Sequence, residues 1–386
     1  VLDAVLGGAF FADWPGSLAL TDTLNAVLDA APDYEAKLLA ARVWAKEWRF
    51  RVGVHYLRGL TDADTSGAQY GDLAGAVLAA LWPVVVGEFA RKHGPQPGRG
   101  AVILGMGSLG AVRLNASADL DLIMIYDADG VDASDGPRPL STRPYYARLT
   151  QALVTALSAP MAEGRLYEVD MRLRPSGRSG PVATSLQAFQ TYQLEEAWTW
   201  EHLALTRGRA ITGSVEFRKK VEDLRQRILD EKSDWSKVMS GVSDMRVRLA
   251  ESKPQQGLWD IKRGPGGLQD IELLGQGIAL VHHCREVATA SQLHSGQSAA
   301  HLKVGALDEL ARSHDWLSDL RLLHRLMCGT DTQDAAVGEG GRARLFRIAQ
   351  IDQDLDFEHI VLTKRAHCVQ IIDGILGQIE GLGYES

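Results

Sequence analysis

The chain has 386 residues, 45% of them hydrophobic and 23% charged, which is the composition of an ordinary soluble protein and the length of two or three domains. Its formal net charge of −8 argues against a nucleic-acid-binding surface over most of the chain. Cys284, Cys328 and Cys368 are too few and too far apart for a disulfide framework or a zinc site.

No apolar run in the sequence approaches the roughly 20 residues of a membrane span, and no signal peptide precedes the first helix. We therefore expect a protein of the reducing cytoplasm that contacts neither membrane nor nucleic acid. The chain begins at Val1 rather than Met and enters an apolar stretch at once. This beginning predicts a piece of a longer protein.

Residues 1–95 are predicted to form an N-terminal helical region. Asp33 is placed to cap a long helix, and apolar residues from Leu73 to Phe89 recur at helical spacing. Pro83 lies within that second pattern, so we expect a bend or a restart there. The segment GPQPG, residues 94–98, breaks the helix and marks a domain boundary.

Residues 96–215 mix strand and helix and are predicted to form the catalytic core. Short apolar runs predict strands over 101–104 and 119–126, and one apolar stripe predicts a helix over 142–159. Strict alternation predicts a third strand over 165–174, with its charged residues on one face. A loop of small residues follows it.

From residue 186 onward the sequence predicts helices only. They cover 186–212, 238–251, 268–287, 299–326 and 355–379, and residues 216–386 are assigned to a C-terminal regulatory or interaction domain. Tyr192, Trp198 and Trp200 are interpreted as core residues rather than as a platform for stacking bases. The predicted fold class is α+β and mostly helical, with one small mixed sheet.

The glycine turn at residues 105–110, GMGSLG, has the G-x-G-x-x-G form of a dinucleotide-binding fingerprint. Asp127 even lies at about the distance expected of the ribose-binding acid. A parallel crossover needs at least about ten residues, mostly helical, and only residues 111–118 separate the turn from Asp119. The short spacer argues against dinucleotide binding.

Two aspartates follow the turn, and in a strand Asp119 and Asp121 project from the same face. Adjacent carboxylates repel each other unless a cation lies between them, and a divalent metal suits that position. The alternative is that these aspartates cap a nearby helix or pair with arginines.

The predicted strand 165–174 carries a second set of charges on its polar face: Glu168, Asp170, Arg172 and Arg174. Carboxylates suit a metal and arginines suit phosphate oxygens, so the two sets together indicate a metal-bound triphosphate. For the arginines, pairing with Glu168 or other surface acids is an equally good interpretation.

Gly107-Ser108, a spacer, Asp119-x-Asp121 and then Asp170 on a neighbouring strand resemble the signature of the nucleotidyltransferase superfamily built like DNA polymerase β. A narrower resemblance covers nearly the whole chain. Three blocks in register are similar to the bifunctional glutamine-synthetase adenylyltransferase/adenylyl-removing enzymes: GMGSLGAVRLNASADLDLIMIYD, a block from LYEVDMRLRPSG to TRGRAITG, and WDIKRGPGGLQDIELLGQ. This resemblance implies a polymerase β-like core, flanked by N-terminal helices and a C-terminal helical bundle.

The family resemblance also implies a reaction, in which AMP passes from ATP to a tyrosine of glutamine synthetase. It implies two Mg²⁺ ions held by Asp119, Asp121 and Asp170 as the catalytic and metal-binding residues. Asp170 is then also a possible proton acceptor. The PII signalling protein and glutamine are implied as effectors.

The same resemblance assigns phosphate contacts to five further residues. The turn contributes Gly107, Ser108 and Gly110 through their backbone, and the third strand contributes Arg172 and Arg174. Relatives usually have lysine where this chain has Ser108, which puts a lysine contact to phosphate in doubt. Backbone N–H groups need no side chain to bind phosphate, so the turn keeps that capacity.

Two alternatives remain open for function. Segments such as RLRPSG and YQLEEAWTWEH resemble the transferase half of the family, which we prefer over the half that removes AMP with phosphate. A more distant alternative is a catalytically silent helical module. A charged set around the turn at 264–267, Asp260, Lys262, Asp270 and Glu272, is interpreted either as a helix cap with salt bridges or as an interface with the catalytic lobe.

Overall fold

The computed structural model describes residues 8–297, 305–329, 339–349 and 357–377. It confirms an α+β, mostly helical fold with one small mixed sheet. The chain divides into two compact units. Unit 1 comprises Val1–Leu60, Thr65–Ala197 and Arg207–Ile228, and unit 2 comprises Thr61–Asp64, Trp198–Thr206 and Leu229–Ser386. The three-domain division at 95 and 215 stays a prediction.

The N-terminal segment is helical, as its periodicity predicts. Its helices are α1 (Gly16–Ala30), α2 (Tyr34–Arg58) and α3 (Ala63–His93). The Asp33 side chain accepts a hydrogen bond of 2.9 Å from Ala36 N–H, which confirms it as the cap of α2. Gly59 ends α2 in the left-handed region at φ 76°. Pro83 lies inside α3 without dividing it.

Helix α3 is long and apolar enough to cross a membrane by length and composition alone, contrary to the expectation from the apolar runs of the sequence. Half of its most apolar window is buried within the protein. Leu73, Leu78 and Leu81 are fully buried, as in the core helix of a globular domain. Length and composition are therefore weak support for a membrane span.

The sheet of unit 1 is built around one long central strand. Its elements in chain order are β1 (Gly100–Gly105), the short helix α4 (Gly107–Gly110), β2 (Leu120–Asp127), α5 (Thr142–Ser158), β3 (Val169–Asp170), β4 (Ala183–Ser185), α6 (Leu186–Thr191), α7 (Thr199–Leu205) and β5 (Arg209–Ala210); α7 lies in unit 2. The strand order is β3-β2-β1-β5, and β4 pairs with β2 farther along. β1 and β2 are antiparallel, whereas β3 and β4 both run parallel to β2.

The antiparallel pairing of β1 with β2 agrees with the rejection of a dinucleotide-binding crossover, because the nine residues 111–119 between turn and strand permit only a direct return. Both strands are almost wholly buried, with Ile103, Leu104 and Ile125 at 0% exposure. Their side chains form the centre of the core on which the turn rests.

Three sequence expectations about these segments are wrong. The predicted strand 165–174 is a strand only at Val169–Asp170, and turns occupy most of residues 171–176. The predicted helix 186–212 is interrupted after Glu196, and a separate helix, α7, begins at Thr199. Trp198 is 62% exposed rather than core, with the Arg248 guanidinium 5.6 Å from its ring centroid.

Unit 2 is helical over the residues described. Helix α8 (Val215–Glu231) leads into it from unit 1, followed by α9 (Trp235–Ser252), α10 (Leu268–Val281), α11 (Thr289–His294), α12 (Ala306–Cys328), α13 (Glu339–Ala349) and α14 (Phe357–Leu376). The predicted beginning of helix 299–326 and the predicted end of helix 355–379 fall partly outside the described residues. A turn at residues 264–267 precedes α10.

Candidate active site

The pairing of β2 with β3 places two predicted metal ligands side by side. The strands run parallel with Leu120 opposite Val169 and Asp121 opposite Asp170. Leu120 N–H donates to the Glu168 carbonyl at 2.9 Å, which fixes this register. Because register partners in a parallel pair point to the same face, the carboxylates of Asp121 and Asp170 project together.

Asp119 lies just outside the strand rather than within it. β2 begins at Leu120, so the expectation that both aspartates alternate along one strand is wrong for the first of them. Asp119 is exposed, whereas Asp121 is half-buried. The shared site is therefore open to solvent on the Asp119 side.

The glycine turn lies directly against the Asp121 carboxylate. Met106 N–H donates to the Asp121 carbonyl at 2.9 Å, joining the turn to the start of β2. Gly107 has φ 55°, in the left-handed region, and a Cβ added there would lie 2.6 Å from Asp121 Oδ2. A side chain at position 107 would strain the backbone and displace the carboxylate, which explains the glycine physically.

Backbone donors of the turn remain available at its first positions. Within the described part of the chain, the N–H groups of Gly107, Ser108 and Leu109 have no backbone acceptor, as expected of a helix start. Ser108 is half-buried, and its carbonyl accepts the Arg113 N–H at 2.9 Å. These N–H groups can take anionic oxygens without the lysine of the relatives.

Gly110 differs from the other predicted phosphate contacts. Its N–H donates to the Met106 carbonyl at 3.0 Å, and a Cβ added to it would lie 1.8 Å from the Arg207 carbonyl oxygen. Because Gly110 has no side chain, the turn can pack closely against the segment that leads to β5. Arg207 is distant in sequence, so no local signal could reveal this contact.

The backbone is strained at Val112, two residues after the turn, and the sequence did not indicate this. Val112 has φ 54°, and a β-branched residue in the left-handed region costs on the order of 1–3 kcal/mol. Leu114 N–H donates to the Gly67 carbonyl of α3 at 3.0 Å, and a Cβ added at Gly71 of the same helix would lie 2.8 Å from Val112 Cγ1. Helix α3 thus packs closely against the end of the turn and holds it in place.

Arg172 is the basic residue that the fold brings to the carboxylates. Its Nε donates to Asp170 Oδ2 at 2.6 Å, and its backbone N–H donates to Asp170 Oδ1 at 2.8 Å. The pKa of Arg172 is raised, first by the hydrogen bond with Asp170 and then by its charge, and Asp121 and Asp119 add to the effect. All three aspartates therefore act electrostatically on one guanidinium.

Arg174 is placed differently, because its guanidinium supports the loop after β3. It donates to the carbonyls of Met171 at 2.7 Å and of Gly180 and Arg178 at 3.3 Å. These contacts close the loop of small residues on itself. A phosphate contact for Arg174 stays a prediction, and it requires these bonds to be exchanged.

The donor set suits Mg²⁺, although the carboxylates are not arranged as a finished cage. Within the described ranges no three His, Cys, Asp or Glu side chains come together as a ready metal-binding group. Asp170 directs both oxygens at Arg172. Asp119, Asp121 and Asp170 nevertheless supply the hard oxygen ligands that Mg²⁺ prefers, and all three act electrostatically on the Arg172 cation.

Comparisons with known proteins agree with this geometry. Residues 1–224 match the family model for glutamate-ammonia ligase adenylyltransferase. Residues 243–370 match the family model for PII-uridylyltransferase.

Individual relatives are similar over most of the chain. A bifunctional glutamine synthetase adenylyltransferase/adenylyl-removing enzyme of Mesorhizobium japonicum is 44% identical over 277 residues, 72% of this chain. The enzyme of the same name from Brucella suis is 36% identical over 376 residues, 95% of this chain, and that from Agrobacterium fabrum is 43% identical over 282 residues, 73% of this chain. The matches span 28% of the first relative, 38% of the second and 28% of the third.

Proposed function

The chain belongs to the glutamate-ammonia ligase adenylyltransferase family, and we propose that it transfers AMP from ATP to a tyrosine hydroxyl of glutamine synthetase. The tyrosine oxygen bonds to the α-phosphorus, the bond from that phosphorus to the β-bridging oxygen breaks, and pyrophosphate leaves. The hydroxyl proton passes to a carboxylate, which we assign to Asp170.

One observation carries the proposal: the parallel register that sets Asp121 beside Asp170, with the Gly107 turn against the same carboxylate. A pair of carboxylates beside a glycine turn with backbone N–H donors, at the start of β2, suits a nucleoside triphosphate better than any other common ligand. The family match over residues 1–224 supports the same conclusion independently, because it covers every residue of this site.

Asp119, Asp121 and Asp170 are the residues that would hold Mg²⁺. When bound, two such ions lower the pKa of the attacking hydroxyl and neutralise the triphosphate. Asp121 is positioned by Gly107 and by the Met106 N–H bond to its own carbonyl. Asp170 is positioned by the register with β2 and by Arg172.

The other chain groups orient the nucleotide. The N–H groups of Gly107, Ser108 and Leu109 would bind β- and γ-phosphate oxygens, since main-chain donors at a helix start favour anions. Arg172 would exchange part of its bond with Asp170 for a phosphate oxygen, which frees a carboxylate oxygen for metal. Arg174 and Gly110 keep the loop and the turn in shape.

The protein substrate, the effectors and the cellular compartment are also part of the proposal. Glutamine synthetase is the protein substrate, the PII protein and glutamine are effectors, and the cytoplasm is the compartment. These assignments rest on the names of relatives of which this chain spans little more than a third at most.

The test is an incubation of the chain with unmodified glutamine synthetase, ATP and MgCl₂, read by mass spectrometry on the tyrosine peptide. We expect the peptide to gain the mass of one adenylyl group and pyrophosphate to appear in equal amount. Chelation of Mg²⁺ should stop both.

A parallel incubation uses adenylylated synthetase with inorganic phosphate. Loss of the adenylyl group and release of ADP there, with no gain in the first incubation, would replace the proposal by the removing reaction. Absence of both reactions, together with no Mg²⁺-dependent ATP binding by calorimetry, would favour the silent helical module.

A further inference from the structure

A second feature of unit 1 is a wide groove that shares no residue with the aspartate site. It lies between the end of α3, the loop after β2 and the outer side of α5, and its cavity volume is about 880 Å³. Tyr34 at the start of α2 lines one wall. Along β2, Asp121 is six residues from Asp127, or about 20 Å of extended chain. The loop therefore leaves the strand far from the reacting phosphates.

The groove is lined by four cationic side chains and one carboxylate. Arg91 and Lys92 come from α3, Arg138 from the loop and Arg148 from α5, and all four residues are exposed. Glu88 pairs with Arg91 at 3.2 Å. The side chains of Lys92, Arg138 and Arg148 have no hydrogen bond or ion pair among the residues that the structure describes.

This concentration of positive charge contrasts with the whole chain. The net charge is −8, so a random groove is expected to be neutral or acidic. Like charges brought together on a surface repel each other and destabilise the fold slightly. A compensating role is therefore expected, and binding of an acidic ligand would supply it.

The backbone of the groove is fixed by hydrogen bonds, which set the positions from which the cationic side chains extend. Arg138 N–H donates to the Lys92 carbonyl at 3.0 Å, and the Arg138 carbonyl contacts His93 Nδ1 at 2.8 Å. Tyr145 donates its hydroxyl to the Gly94 carbonyl at 2.9 Å. Glycine at 94 is required, because a Cβ there would lie 2.1 Å from the Asp135 carbonyl oxygen.

The floor between these cations is apolar. Val85 is 1% exposed, and the half-buried Phe89 packs edge-on against Tyr145 with ring centroids 5.0 Å apart. Ala152 and Pro137 complete the apolar lining. A small inorganic anion would gain nothing from contact with apolar side chains. The exposed cations also do not enclose an anion as the side chains of a buried site do. An extended or helical segment that alternates acidic and apolar residues matches both features.

We propose that the groove between α3, the loop after β2 and α5 docks an acidic, amphipathic segment of a protein partner. The carboxylates of the segment face Lys92, Arg138 and Arg148, and its apolar side chains cover Phe89, Pro137 and Ala152. The proposal does not rest on AMP transfer, because the groove contains none of the residues assigned to that reaction.

The test is fluorescence anisotropy of the intact chain with a fluorescein-labelled peptide of alternating glutamate and leucine. We expect saturable binding that weakens as NaCl is raised, since exposed charges are screened within a Debye length of about 10 Å at 0.1 M salt. The double variant Arg138→Glu/Arg148→Glu should weaken binding about tenfold or more. Arg143→Glu is the matched control, an exposed arginine of the same helix outside the groove, and it should bind as the wild type does.

Four outcomes would overturn the proposal. Three concern the peptides: the wild type does not bind the glutamate–leucine peptide, the Arg143→Glu control loses as much affinity as the double variant, or a lysine–leucine peptide binds equally well. The fourth is that millimolar sodium tripolyphosphate displaces the peptide and itself binds the double variant more weakly than the wild type. The last outcome would make the groove a small-anion site. Thermal unfolding of each variant checks folding, and Arg138→Ala/Arg148→Ala replaces the charge reversal if the latter does not fold. That milder pair should still lower the affinity several-fold.

Discussion

Two glycine turns in this protein lie beside aspartates, and the aspartates at the two turns differ in their burial and in their contacts. At residues 105–110 of unit 1 the neighbouring carboxylates are exposed or half-buried, and the exposed Arg172 contacts the carboxylate of Asp170. At residues 264–267 of unit 2 the neighbouring carboxylates, Asp260 and Asp270, are buried at 1% and 9% exposure. Glycine beside aspartate is thus a signal for two distinct kinds of structure.

The unit 2 turn is a closed network. Asp270 accepts from Gly266 N–H at 2.8 Å and from Arg246 Nε at 2.5 Å. The buried Arg365 donates to the carbonyls of Pro265 at 3.2 Å and of Asp260 at 3.3 Å. Burial lowers the pKa of Arg365, and the charges of Asp260 and Asp270 oppose that shift.

The aspartates at the two turns differ in how easily an ion from solvent reaches them. A buried carboxylate held by several protein donors is shielded from solvent ions and gives strong local order. The carboxylates beside the first turn are exposed or half-buried, so a solvent ion can reach them. Of the two interpretations of the second turn, the salt bridges are present, since Arg246 pairs with Asp270, but Gly267 at the N-cap of α10 has no side-chain cap. The interface role stays a prediction.

The largest expected effect is on chemistry at the open turn. Asp121→Asn keeps the shape of the side chain but removes the charge that a metal needs, so AMP transfer should fall at least about 10²-fold. The unfolding midpoint in urea should stay near that of the wild type, because Asp121 is only half-buried. Mass spectrometry of the tyrosine peptide measures the rate. Transfer at the wild-type rate would remove Asp121 from the site.

The converse effect is expected at the closed turn. Asp270→Asn leaves the Arg246 charge poorly compensated in a mostly buried position, where its side chain is 18% exposed, and should cost about 3 kcal/mol in the free energy of unfolding. Urea denaturation followed by circular dichroism measures this cost.

The matched control for that variant is Asp373→Asn, which removes the other partner of Arg246. Asp373 lies 2.8 Å from Arg246 but its side chain is 58% exposed, so the loss should be below about 1 kcal/mol. Equal costs for the two variants would show that burial does not distinguish the closed network.

A third prediction compares the two turns by replacing one glycine in each with alanine. Gly107→Ala should lower AMP transfer at least about tenfold, because its Cβ would lie 2.6 Å from Asp121 Oδ2, while the backbone strain costs only about 1–2 kcal/mol of stability. Rate and urea midpoint are measured on the same preparation.

Gly266→Ala is the comparison variant for this pair. Its Cβ would lie 2.1 Å from the Arg365 backbone oxygen, which cannot rotate away, so stability should fall by more than in Gly107→Ala. A larger stability loss from Gly107→Ala than from Gly266→Ala would contradict the assignment of the two turns.

The smallest effect is expected at Arg172. Its side chain is 55% exposed, so Arg172→Ala should change stability by less than about 1 kcal/mol. Because Arg172 is proposed to bind phosphate, the KM for ATP should rise several-fold. Steady-state rates at varied ATP measure this, with Arg165→Ala, an exposed arginine that pairs with Glu168, as the control. An unchanged KM would limit Arg172 to positioning Asp170.

Much of the helical fold was readable in the sequence, and the chemistry read there for the site stays a prediction. The Asp33 cap, helix α5 and the strand β2 follow from periodicity and capping residues within a few positions. The strand predicted over 165–174 was wrong outside Val169–Asp170, and after Asp170 the alternation accompanies turns in which the Met171 carbonyl accepts from Arg174. Alternation records which residues are polar, and it does not record which partner strand is present.

The sequence by itself determined the residue types of the site, three aspartates and a glycine turn, and the family to which they belong. Only the tertiary structure decided that Asp170 lies opposite Asp121, that Arg207 covers Gly110, and that Lys92 and Arg138 line one groove. The physical reason is the sequence separation over which each interaction acts. Capping and periodicity act between residues a few positions apart, whereas strand register and helix packing depend on hydrogen bonds and buried contacts between distant segments.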